Sequence, residues 1–135
     1  MSLGLFREDR ELWESGAPAE MGDSTFYVRR SGTDGYYKKR REITNRLLGL
    51  YVQPKTEDEI RVNSHILAEY LVSGWANLFD EDGNEVEYSE ENARAIFLDE
   101  DYRISLNAAL INFSWDFNNY LKLRYEEDLD ELKKK

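Results

Sequence analysis

At 135 residues the chain has room for one domain, and 18 basic against 28 acidic side chains give it a formal net charge of −10. That balance works against nucleic-acid binding, because counterion release rewards cations against phosphate and this chain repels phosphate overall. The absence of cysteine excludes a disulfide framework and any thiolate metal site and fits a reducing compartment, and the single histidine, His65, excludes a His-pair zinc site within one chain.

In chain order, residues 1–32 read as a strand and loop segment, 33–125 as a helical core with a hairpin, and 126–135 as a charged tail, all within a single compact domain. The opening, Met1 to Phe6 followed by Arg7-Glu-Asp-Arg, lacks a secretory pattern. Two short strands are expected near 11–14 and 24–31, the second rich in Thr, Phe, Tyr and Val and bounded by Gly and Asp. From Thr33 to Leu50 the pattern turns helical, with Thr33 or Asp34 as cap, Gly49 near the end, and Tyr36, Ile43, Leu47 and Leu50 on one face. Pro54 forbids continuation, and Thr56 with Glu59 predicts a capping box for a helix over 57–75 that carries Ile60, Leu67, Tyr70 and Leu71 on one side.

Asp82-Gly83, flanked by alternating apolar residues, predicts a small β-hairpin near 78–88. Ser89 then caps a short helix to Leu98, with Glu90 and Glu91 at its electropositive end. A last helix is expected from Asp101 to at least Tyr125. The fold class is therefore mainly α with a small antiparallel β component. No run approaches the roughly 20 apolar residues of a membrane span.

Little in the chain points to catalysis. Asp80, Asp82 and Asn84 alternate like calcium ligands, with Glu91 at the twelfth position, but the glycine that an EF-hand loop needs sixth stands fourth, and Glu85 occupies the sixth. His65 has Glu69 four residues on, within reach of an ion pair, yet no second group completes an acid–base constellation. No phosphate loop or nucleophile elbow is present, so the expectation is of a protein that is not an enzyme and needs neither cofactor nor metal. A basic cluster (Arg29, Arg30, Lys38, Lys39, Arg40, Arg41) has two readings: a solvated face, or a docking patch for an acidic surface, including another copy of the chain.

The last helix is the most informative. Leu106, Leu110, Phe113, Phe117 and Leu121 make one apolar stripe, and Ile104, Ala108, Ile111 and Trp115 a second, displaced by about 200° at roughly 100° per residue. A helix apolar on both sides either lies central in its domain or offers one face to a partner. On the second reading the interface centres on Trp115 with Ile104, Ala108 and Ile111, or on the Phe113/Phe117 side, since aromatic anchors concentrate binding energy.

The segment from Trp75 to Ala93, with Trp75, Asn77, Asp82, Gly83, Tyr88 and Ser89, resembles the central signature of phage tail assembly chaperones, in which a helix ends in Trp, an acidic Gly turn follows, and an aromatic–Ser/Thr pair caps the next helix. Gly22 to Arg30 is similar to the opening β segment of that family, and the resemblance spans about residues 22–120. It implies a chaperone that binds the tape-measure protein of a long-tailed phage or prophage, helps recruit tail-tube protein, self-associates as a homo-oligomer, and acts in the bacterial cytoplasm without entering the mature virion. It also implies an extended product made by ribosomal slippage. Lys133-Lys134-Lys135 fits an A-rich slip site, or else simply three cations ending a helix. The alternatives are an acidic DNA mimic that blocks a nucleic-acid enzyme, motivated by the charge, and a structural tail or connector protein.

Overall fold

Three antiparallel strands anchor the computed structural model, which describes residues 2–50 and 52–122. Strands β1 (Ala17–Met21), β2 (Ser24–Val28) and β3 (Val72–Ala76) lie in that order. β1 and β2 form a hairpin in which Ala17 faces Val28 and Met21 faces Ser24. β2 pairs with β3 through Phe26–Trp75 and Tyr27–Gly74, and a bulge between Tyr27 and Val28 brings Val28 opposite Val72. Alternation sends Ala17, Ala19, Phe26 and Val28 to the buried face, and the bulge lets Val72 and Trp75, three residues apart, join them there. Pro18 is tolerated because β1 is an edge strand.

Of the helices α1 (Arg10–Ser15), α2 (Asp34–Leu48), α3 (Thr56–Ile66), α4 (Glu90–Phe97) and α5 (Leu106–Trp115), the last four cover that face, while α1 buries no residue. One core joins them to the sheet, built around Phe26, Ile43, Ile66, Leu71, Phe97 and Leu110. The described residues thus form a single domain, mainly helical with a small antiparallel sheet. Among them, no helix is long and apolar enough to cross a membrane.

Several sequence expectations shift. The segment near 11–14 is helical: Asp9 caps α1 by accepting from the Glu11 N–H at 2.9 Å, and the strand lies one step later, at 17–21. The strand expected over 24–31 stops at Val28. In α2 the caps are Thr33 and Gly49, as the sequence indicates, but Leu50 is exposed beyond the helix end. The capping box expected at Thr56 and Glu59 does not form: the N-cap is Lys55, whose N–H donates to Asp58 at 3.0 Å, and its ammonium, a donor only, cannot return the second bond.

The helix expected to run to Trp75 ends sooner. A π-helical turn spans Leu67–Leu71, and the chain then becomes β3, so Trp75 is a strand residue. Arg29 explains the switch. Its backbone N–H donates to the Leu71 carbonyl at 2.7 Å and its guanidinium to that of Tyr70, which occupies the last helical acceptors while β2 offers Val72–Ala76 a ladder.

The hairpin near 78–88 is narrower than its flanking pattern suggests, with one bridge between Phe79 and Glu85. The last helix is also shorter. Residues 101–105 are turns, α5 covers Leu106–Trp115, and Asp116 leaves helical geometry at ψ 107°. Its carboxylate then caps a 3-10 turn over Phe117–Tyr120, and Leu121 bridges to Glu8. Residues 123–135, which include the expected helix end, the charged tail and Lys133–Lys135, lie outside the described residues.

Candidate partner-binding surface

The rotation of α5 follows from what it buries. Asn107, Leu110 and Ser114, spaced by three and four, point into the domain, with Leu106 and Phe113 half-buried beside them. Asn107 donates to Ser64 Oγ at 3.1 Å and to the Phe97 carbonyl at 2.8 Å. Ser31 and Ser114 share a 2.6 Å hydrogen bond, and the Ser31 N–H donates to the Ser114 carbonyl at 3.0 Å.

The opposite face stays open. Ile104 is 61% exposed and Trp115 45%, with Ala108 exposed and Ile111 half-buried between them. Ile104, Ala108 and Ile111 form one wall of a shallow groove of about 340 Å³, and Ile60 and Asn63 of α3 form the other. Trp115 is pinned while remaining accessible, packing edge-on against Tyr36 with centroids 5.4 Å apart. It also covers Gly32, whose φ of +87° and lack of a side chain both matter, since a Cβ there would lie 3.0 Å from the indole. A fixed aromatic beside an apolar groove loses little rotamer freedom when something docks on it.

The six residues expected at an interface thus divide. Ile104, Ala108, Ile111 and Trp115 share one surface. Phe113 turns inward and packs edge-on against the buried Tyr120, with centroids 6.0 Å apart. Phe117 lies past the helix break, 6.1 Å from Phe6 and away from the groove.

The Trp75–Ser89 residues form a brace. Trp75 Nε1 donates to the Val86 carbonyl at 2.7 Å, and its ring meets Tyr88 edge-on with centroids 5.0 Å apart. Asn77 adopts φ +57°, which Asn tolerates, and its carbonyl accepts from Ser24 Oγ at 2.7 Å. In the turn, Asp80 Oδ1 accepts from the N–H groups of Asp82 at 3.0 Å and Asn84 at 2.8 Å, and the Gly83 N–H donates to the Asp80 carbonyl with Gly83 at φ +83°. The Asp80 carboxylate therefore acts as an acceptor for its own turn. Ser89 Oγ accepts from the Asn92 N–H at 3.0 Å.

Sequence reasoning missed a polar hub. Arg30 Nε donates to Glu8 Oε1 at 2.7 Å, Arg30 Nη1 donates to the Ser114 carbonyl at 3.0 Å, and Trp13 Nε1 donates to the same Glu8 oxygen at 3.2 Å. Tyr120 donates its hydroxyl to the Val28 carbonyl at 2.8 Å, and burial pushes that phenol's pKa well up, keeping it a donor. The partners are up to 92 residues apart, and no local spacing signals them. Most of the basic cluster is likewise committed: Arg29 to Glu14 and Tyr70, Arg30 to the hub, Arg40 to Asn63, and Lys39 to Glu69. Lys38 and Arg41 stay exposed. His65 does pair with Glu69, at 3.1 Å.

A family model described as YdaY prophage protein matches residues 32–134. No curated protein and no solved structure matches the chain.

Proposed function

The chain belongs to the YdaY prophage protein family, and from that premise we propose that it is a tail assembly chaperone, a non-enzymatic protein that holds the tape-measure protein and recruits tail-tube subunits in the bacterial cytoplasm. The observation that carries this reading is the open face of α5, where Ile104, Ala108 and Ile111 run along a groove and end at the half-exposed Trp115. An elongated, partly apolar client needs a holder with an apolar face and enough charge to keep the pair in solution. A net charge of −10 supplies the second requirement. The likeness of Trp75–Ala93 to the chaperone signature supports the same role.

The test is co-expression with the tape-measure and tube proteins of a long-tailed phage, followed by capture. The wild-type chain is expected to retain the tape-measure protein. Ile104→Asp with Ala108→Asp should weaken capture at least about tenfold, which is about 1.4 kcal/mol, with an unchanged circular dichroism spectrum. Enrichment of a nuclease or polymerase instead would favour the DNA-mimic alternative. Retention in purified particles would make the chain a structural tail or connector protein.

A further inference from the structure

A second apolar groove lies at the entry to α5, with a lining that shares no residue with the first. Leu78, Phe79, Val86, Ile96, Tyr102 and Leu106 line it, with a volume of about 350 Å³. Phe79 is 55% exposed at its edge. The hairpin brace holds one wall, because the Val86 N–H donates to the Leu78 carbonyl at 2.8 Å and the Val86 carbonyl accepts from Trp75. The other wall is the entry to α5.

The rim of this groove is acidic. Asp80 and Glu81 line it directly. Glu81 accepts from the Tyr102 hydroxyl at 3.4 Å, and Asp99 and Asp101, joined by a 2.8 Å hydrogen bond from the Asp101 N–H to Asp99 Oδ1, directly precede that groove-lining tyrosine in the chain. Among the described residues, no ion pair engages any of these four carboxylates. Closely spaced like charges around apolar surface favour an occupant that brings cations and a hydrophobic side chain together.

The same chain displays such a feature. On α2, Tyr37, Lys38 and Arg41 lie within about 100° of one another at helical spacing, and all three are exposed. Tyr37 stands edge-on against the buried Tyr36 with centroids 5.2 Å apart, which fixes its ring as a knob beside the two cations. The charges are segregated along the sequence as well. Between residues 29 and 46 there are seven Arg and Lys against Asp34 and Glu42, whereas residues 80–101 hold ten Asp and Glu against Arg94 alone.

We propose that the acidic groove beside the hairpin receives the Tyr37–Lys38–Arg41 face of α2 from a second copy of this chain. The two surfaces differ, so the contact is head-to-tail, and each protomer that offers its groove still presents its own α2 face to the next. The surface is distinct from the open face of α5 and stands or falls separately from the chaperone reading.

The test is sedimentation of the full chain over a range of protein concentrations. At about 0.15 M salt the Debye length of roughly 8 Å screens repulsion between two acidic molecules as wholes while sparing charges in contact, and at about 1 M even those are screened. The expected result is a mass that grows with concentration at the lower salt and falls back toward the monomer at the higher. Glu81→Lys with Asp101→Lys destroys the groove's rim, Lys38→Glu with Arg41→Glu destroys the knob's charge, and each double variant alone should sediment as a monomer. Mixed in equal amounts, they should associate again, because the intact knob of one meets the intact groove of the other and the reversed rim faces the reversed knob. Tyr37→Ala, which changes no charge, should weaken association at least about tenfold, with circular dichroism checking the fold of every variant. Ile104→Asp with Ala108→Asp should leave self-association unchanged. A wild-type chain that stays monomeric at the lower salt overturns the proposal. So does association that survives both charge reversals, or a mixture of the two variants that fails to pair.

Discussion

Glu69 is the carboxylate on which two helices converge. It sits in the π-helical turn after α3 with its side chain only 8% exposed, and it accepts from Arg46 of α2 through both oxygens and from His65 of α3, with Lys39 3.8 Å away. Burial pushes its pKa up, but the hydrogen bonds from Arg46 and His65 and the charges of Arg46 and Lys39 outweigh it, so Glu69 titrates below the usual Glu range. Linkage then gives the sign. A depressed folded pKa contributes stability that is complete above the unfolded value of about 4.3, shrinks as the pH falls, and is lost below the folded value. Glu69→Gln is expected to lower stability at neutral pH by roughly 1.5 kcal/mol, at the lower end for a charged hydrogen bond because Arg46 is half-exposed and partly screened. It should also flatten the acid limb of the stability curve. Urea midpoints at neutral pH and near pH 3 would check both, and parallel curves for variant and wild type would refute the assignment.

At the scale of elements, α4 is set by its cap. Ser89 accepts from the Asn92 N–H, and Glu90 and Glu91 occupy the first turn. Ser89→Ala should cost about 1 kcal/mol, read as a lower urea midpoint with an unchanged slope. Caps of this kind were legible in the sequence, as were Thr33 and Gly49 around α2 and the acidic glycine turn at Asp80–Asn84, because a cap or tight turn is written in adjacent residues. What could not be read was where one element yields to another. Ile60, Leu67 and Leu71 continue a helical period toward Trp75, and nothing local reveals that Arg29 takes the acceptors of Tyr70 and Leu71 and lets β2 claim the next five residues. The break after Trp115 did carry a signal: Asp116 followed two residues later by Asn118 is a turn-forming pair, and the long apolar stripe masked it. Of the interface residues, the stripe separated an inward Leu110 from an outward Trp115. It could not assign Phe113 and Phe117, because the second stands on the far side of that break.

For the molecule as a whole, net charge keeps two open apolar grooves from causing indiscriminate association. The pI is about 4.6, and there the protection vanishes. Light scattering is expected to rise as the pH approaches that value and to subside on return to neutrality, and a clear solution throughout would mean that the grooves are not adhesive on their own. The hub around Arg30 has a bearing of a different kind, on the order of events during synthesis. Arg30 and the carbonyls of Val28 and Arg29 are made early, yet their partners Ser114 and Tyr120 come 84 to 92 residues later, and β3 supplies the third strand only at Val72. A nascent chain therefore carries its first two strands without their completing contacts until Ser114 and Tyr120 have been made. Late closure of this sort slows folding, since distant residues must find each other before any of the gain is realised.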